Sequence, residues 1–132
     1  MRREDTIAFA SLYDPQPFHI DDAAAAANPV FGRLSASGWH TAVMAQMLVA
    51  ELMRKAGLRG LAGGAVQEIR WLKPVFPPET LDIDLKIVEV RPSKSRPERG
   101  ILKMKTIVYD AHRKPTAEIV ITGIFLREDG AT

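Results

Sequence analysis

WHTAVMAQMLVAELMRKA, residues 39–56, is the longest helical stretch of the chain, and its character decides how the rest must fold. Trp39, Ala42, Val43, Met44, Ala45, Met47, Leu48, Val49, Leu52 and Met53 leave its first three turns apolar on nearly every side. A helix of that kind belongs inside a protein, because no polar face remains to meet water. Arg54 and Lys55 suit its C-terminal dipole end, and Gly57 is a good terminator.

Beyond Gly63-Gly64 the period of the pattern changes from helix to strand. AVQEIRWLKPV (65–75) alternates imperfectly, whereas LDIDLKIVEV (81–90) alternates cleanly and then shifts parity at Val88, which predicts a bulge. GILKMKTIVYD (100–110) and TAEIVITGIFL (116–126) complete about four strands, expected to be joined by hairpins through PVFPPET, RPSKSRPERG and DAHRKP. The predicted class is α+β, with an antiparallel sheet wrapped around the long helix and any face left open covered by a partner.

On the N-terminal side, EDTIAFASLY (4–13) reads as a helix with Ile7, Ala8, Phe9 and Leu12 mostly on one side. Pro15 and Pro17 end it, since each removes a backbone donor and restricts its predecessor. Asp21 and Asp22 read as caps of the short alanine helix that follows, which Asn28-Pro29 stops. The intervening YDPQPFHID (13–21) carries more ionisable groups than a joining loop needs.

Composition narrows the classes. The chain has 132 residues, 46% of them hydrophobic, which fits one domain over 1–132 with a real core. It lacks cysteine, so disulfides and thiolate metal sites are excluded. Eighteen basic against 16 acidic residues leave a net charge of +2, too balanced to indicate nucleic-acid binding. No apolar run approaches the roughly 20 residues of a membrane span, and the first residues do not form a signal peptide. A cytoplasmic protein is the expectation.

IAFASLYDPQPFHID (7–21), then FGRLSASGWH (31–40), the apolar helix and EIRWLKPVFPPETL (68–81) together resemble the MaoC-like acyl dehydratase family, which includes (R)-specific enoyl-CoA hydratases. The likeness covers nearly the whole chain in the right order. It implies the hot dog fold, usually dimeric, with Asp14 and His19 as the catalytic pair and Gly38 as the glycine whose amide polarises the thioester carbonyl. It also implies a strand before the first helix, whereas Met1 here stands almost at that helix, so that either the strand is absent or the chain start is assigned too late. Gln16 stands where such proteins commonly have Asn, Ser37-Gly38-Trp39 where they often have His-Gly-Met, and Gln46 near a serine found in some hydratases.

Hydration of an enoyl thioester needs a deprotonated water, a proton for the α-carbon and stabilisation of charge on the carbonyl oxygen. Asp14 and His19, an imidazole being the side chain whose unperturbed titration lies near neutral pH, suit the first two tasks, with a capping aspartate beside a packing histidine as the alternative. Ser37-Gly38 opens the long helix, where free N–H groups converge; an ordinary N-cap is the alternative. A glycine there is expected to let substrate approach the backbone. Ser37, Trp39 and His40 are candidate substrate contacts, although a structural role also fits His40. Arg70, Lys94 and Arg96 are candidate contacts for the phosphates of coenzyme A, or simply solvated cations. His112 reads as a solvated turn residue.

The expected activity is therefore an acyl-CoA hydratase or dehydratase that interconverts 2-enoyl and 3-hydroxyacyl thioesters. It needs no metal or redox cofactor, and coenzyme A enters only as part of the substrate. A non-catalytic acyl-thioester-binding or interaction module and a hot dog thioesterase are the alternatives. A homodimer is expected from edge-to-edge sheet pairing, with a larger oligomer left open.

Overall fold

The computed structural model describes residues 1–127. Its elements run α1 (Arg3–Tyr13), α2 (Pro17–Ile20), α3 (Asp22–Ala27), α4 (Gly38–Lys55), β1 (Gly60–Trp71), β2 (Asp82–Pro92), β3 (Arg99–Tyr109) and β4 (Pro115–Leu126). The four strands make one antiparallel sheet in the order β1-β4-β3-β2. Two connections, β2–β3 and β3–β4, are hairpins. The third expected hairpin is not one, because β4 comes between β1 and β2 and residues 72–81 must cross the end of the sheet.

Glycine pairs interrupt strands often enough that Gly63-Gly64 reads as a boundary in sequence. The structure instead carries β1 through them, with register shifts at Gly60/Ala62, Gly63/Ala65 and Val66/Glu68. Pairing with β4 supplies the hydrogen bonds that hold the extended backbone, so the missing side chains matter less. The parity shift at Val88 is a bulge, between Ile87 and Glu89.

Helix α4 buries Thr41, Ala45 and Val49. Ala45, with Met44 and Leu48 beside it, packs with Val108 of β3 and Ala117 of β4, capped by Ala36, Val75 and Leu81 from the connections. A second cluster of Leu102, Met104 and Phe125, with Met53 and Leu58, fills the other end of the sheet. Gly57, at φ +76°, ends the helix: its N–H donates to Arg54 C=O at 3.2 Å and that of Leu58 to Met53 C=O at 3.0 Å.

The wrapping is incomplete. Trp39, Val43 and Met47 are 53, 55 and 53% exposed and lie four residues apart, so they form one apolar stripe. Leu61, Val66 and Trp71 of β1 are also exposed. Helix α1 departs from its predicted facing too: it buries the small residues Thr6 and Ala10, and Leu12 faces outward. The sheet has two open edges, β1 and β2. Beyond the start of β2, the Met1 ammonium donates to Glu79 C=O at 2.7 Å, and Glu79 N–H donates to Met1 C=O at 3.0 Å.

Candidate active site

Pro15 stops α1 at Tyr13, and Pro17 starts the single turn of α2 at its first position, where a missing N–H costs nothing. Gln16 N–H donates to Asp14 C=O at 2.8 Å, and His19 N–H to Gln16 C=O at 2.9 Å. These two tight turns reverse the chain and bring side chains five residues apart together. Asp14 Oδ2 lies 3.5 Å from His19 Nε2.

Each member of the pair is held from behind by residues 34–37, a segment buried along its whole length. His19 Nδ1 lies 2.6 Å from Ser35 C=O. A carbonyl can only accept, so Nδ1 carries the hydrogen, and Nε2 of the neutral ring is left as an acceptor facing Asp14. Ser37 Oγ–H donates to Asp14 Oδ2 at 2.7 Å. The rings of Phe18 and Phe31, 4.5 and 6.1 Å from the imidazole, shield the pair on the apolar side.

Ser37 is also the N-cap of α4. Its Oγ accepts from Trp39 N–H at 3.2 Å, and its carbonyl accepts from His40 at 3.0 Å and Thr41 at 3.2 Å. That leaves Gly38 N–H, at the first helical position, without a hydrogen-bond partner among the described residues. Gly38 lines a cavity of about 440 Å³ together with Asp14, His19, Trp39, Thr41 and Trp71. Val30, Phe31, Leu72 and Val75 make its apolar wall. Asp14, His19 and Gly38, the last at a helix N-terminus with its amide unbonded, thus line one hollow, where the helix dipole favours developing negative charge.

The reason for glycine at 38 differs from the expected one. A Cβ there would sit 2.5 Å from Cε2 and Nε1 of Trp71, so glycine makes room for the indole rather than for a ligand. Trp71 Nε1–H donates to Gly38 C=O at 2.8 Å, and its ring meets that of Trp39 edge-on at 5.2 Å. Trp71 and Thr41 are site residues that the sequence reading passed over. Only the pairing of β1 with β4 places position 71 beside the start of α4.

Five candidate contacts do not line this cavity. Ser37 spends its hydroxyl on Asp14 and Trp39. His40 turns away, buried and stacked on Phe9 at 4.6 Å and 8°. Arg70 points toward Glu68, 3.7 Å distant on the same strand. Lys94 and Arg96 lie in the β2–β3 connection beyond the Pro92–Gly100 pair, whereas the cavity adjoins the Trp71–Ala117–Val108 end of the sheet. Nine residues of extended chain separate the two ends, roughly 30 Å. Within one chain they are therefore too distant to touch a ligand there. Gln46 lines a separate hollow of about 680 Å³ against the glycine-rich start of β1.

The cation at the cavity wall is instead Lys73, paired with the buried carboxylate of Asp110. The ammonium of Lys73, helped by the N–H groups of Lys114 and His112, holds the Asp110 carboxyl down from 3.8 to about 2. Among the described residues no cluster of three or more His, Cys, Asp or Glu side chains could hold a metal ion.

His40 Nδ1 is buried without a hydrogen-bond partner among the described residues. Burial lowers the imidazole pKa below its ordinary 6.5, and the nearby Asp5 carboxylate offsets this only in part. A depressed pKa means the unfolded chain takes up this proton first as pH falls. Stability should therefore decline from about pH 6.5 downward until the folded form also protonates. His40→Leu should flatten that decline, which is expected to be no more than about 5 °C in melting temperature per pH unit. Thermal melts between pH 5 and 8 measure it.

A long helix held by an antiparallel sheet, with an Asp–His pair at the amino end of that helix, defines the hot dog class of fold. Residues 1–109 match the family described as "MaoC like domain", and the chain belongs to that family. It is similar to the MaoC-like dehydratase from Rhodospirillum rubrum at 30% identity and a TM-score of 0.83, over 97% of this chain and 86% of that one. The (R)-hydratase from A. caviae involved in PHA biosynthesis shares the fold, with a TM-score of 0.71 at 20% identity over 96% and 89% of the two chains. The uncharacterized protein YdeM of Bacillus subtilis is 28% identical over 111 residues, 82% of this chain and 74% of YdeM. No helix among the described residues is long and apolar enough to cross a membrane.

Proposed function

We propose that this chain is a hydro-lyase that interconverts a 2-enoyl thioester and a 3-hydroxyacyl thioester of coenzyme A. The observation that carries the reading is the 3.5 Å approach of Asp14 Oδ2 to His19 Nε2, facing a cavity that the unbonded Gly38 amide also lines. Membership of the MaoC-like family supports it. A water bridging the two acceptors donates one hydrogen to each. As its oxygen bonds to the β-carbon, the pair takes one proton from it. Electron density moves to the thioester oxygen, held by Gly38 N–H, and the proton is returned to the α-carbon. Atoms and charge balance with one water added. Every step is the addition of the water oxygen to the β-carbon, a proton transfer or an amide contact, so the reading calls for no metal or redox group.

Wild-type protein should hydrate crotonyl-CoA or a longer 2-enoyl-CoA, seen as loss of enoyl absorbance without release of free thiol. Thiol release would indicate a thioesterase. Thioester binding by calorimetry without turnover across the acyl panel would indicate a binding module and reject the lyase.

The reading extends to assembly, with residues 1–132 acting as one domain in a homodimer. Trp39 of the exposed α4 stripe meets Trp71 of β1, Val43, Met47, Leu61 and Val66 are exposed as well, and an antiparallel strand edge can pair with its own copy about a two-fold axis. Light scattering at micromolar concentration should give a dimer, and Met47→Glu should shift it toward monomer. A monodisperse wild-type monomer would contradict this.

A further inference from the structure

We infer that Ser37 is the positioning residue of the Asp14–His19 pair. This rests on the lyase reading above and adds a residue whose hydroxyl acts only through Asp14. Residues 35 and 37 stand two apart in a buried segment, and both hydroxyls face the pair: Ser35 Oγ lies 3.3 Å from His19 Nδ1 and Ser37 Oγ 2.7 Å from Asp14 Oδ2. Ser35 holds His19 by its backbone carbonyl, and Ser37 holds Asp14 by its hydroxyl. The segment itself is fixed at both ends: Ala36 N–H donates to Val75 C=O at 2.8 Å, and the Ser37 carbonyl caps α4.

The Ser37 hydroxyl has no freedom to spare. Its oxygen accepts from Trp39 N–H, which directs its single hydrogen to Asp14 Oδ2, the oxygen that faces His19 Nε2. With the ring neutral, two acceptors 3.5 Å apart repel unless something holds one of them, and among the described residues the Ser37 hydroxyl is the hydrogen-bond donor to Oδ2. Without the hydroxyl, the Asp14 side chain can rotate about χ1 toward solvent, because it is only partly buried. The motif Ser35-Ala36-Ser37 is thus an alignment element. Serine at 37, where similar proteins often carry histidine, makes the alignment depend on one small hydroxyl.

The test compares wild type, Ser37→Ala, Ser37→Thr, Asp14→Asn and the Ser37→Ala/Asp14→Asn double variant in crotonyl-CoA hydration. Ser37→Ala should lower kcat by about 10- to 100-fold and leave KM within about threefold, since only the reacting geometry is lost. Ser37→Thr, which keeps the hydroxyl, should recover most of the rate. In the Asp14→Asn background Ser37→Ala should cost no more than about twofold, because the two act as a unit. A change confined to KM, or the full loss repeated in that background, overturns the inference. Should Ser37→Ala not fold, Ser37→Gly removes the same hydroxyl while remaining a good helix cap.

Alignment is also read without turnover, from three-bond couplings between Asp14 Cγ and its backbone N and C′. Wild type and Ser37→Thr should show one χ1 rotamer, and Ser37→Ala an average. An unchanged rotamer in Ser37→Ala overturns the inference even if the chain hydrates nothing, whereas absent turnover with the expected couplings rejects only the lyase reading.

Discussion

His19→Ala should lower kcat for enoyl-CoA hydration by a factor on the order of 10²–10⁴, the usual loss when a positioned base is removed. The neutral imidazole can act as a base through Nε2, because its other nitrogen carries the hydrogen donated to Ser35 C=O. No other histidine can replace it: His40 faces Phe9, and His112 lies in the β3–β4 turn. Asp14→Asn keeps the shape of the carboxylate and its contact with Ser37 but removes its charge, so it should be similarly impaired without a large change in melting temperature. Equal rates for wild type and His19→Ala across a broad acyl panel would sink the mechanism. A loss of rate accompanied by a collapse in melting temperature would be uninformative, and Asp14→Asn guards against that outcome.

Asp110→Ala should lower the melting temperature by on the order of 10 °C. The Asp110 carboxylate is buried and serves three donors at once: the Lys73 ammonium and the N–H groups of His112 and Lys114, each at 2.9 Å. Removing it leaves the β3–β4 turn without its internal acceptor and Lys73 without its partner. The pH dependence separates this from simple cavity formation. The carboxyl is held at about 2, below its ordinary 3.8, so its contribution is fully present above roughly pH 4 and fades as pH falls toward 2. The gap in melting temperature between wild type and Asp110→Asn should therefore be constant from pH 5 to 8 and close below pH 4. A gap that persists at pH 2 would assign the loss to packing instead.

The fold was legible where periodicity is strong. The apolar helix, the clean alternation of 81–90 and the parity shift at Val88 each correspond to one physical cause, and each has its counterpart in α4, β2 and the Ile87/Glu89 bulge. Gly63-Gly64 misled because local preference was overridden by pairing with β4, a contact more than fifty residues away in sequence. The Asp14–His19 convergence could be anticipated because two prolines leave a short segment few conformations. The cavity wall could not, because only the strand register brings Trp71 to Gly38 and Lys73 to Asp110. Lys94 and Arg96 lie far from the cavity within one chain, for the complementary reason. Clustered charge marks a loop but does not say at which end of the sheet that loop lies.

The two margins of the sheet differ in a way that bears on how assembly stops. The β2 margin is studded with Asp82, Asp84, Lys86, Glu89 and Arg91 and closes on Pro92; Arg113 holds Asp82 and Asp84 at 3.1 and 3.0 Å. The β1 margin from Gly60 to Gln67 bears no charge at all. A guarded side opposite a bare one would make the proposed edge pairing self-limiting: a molecule with two bare sides would add copies indefinitely into a ribbon, whereas pairing through β1 alone would end after a single union.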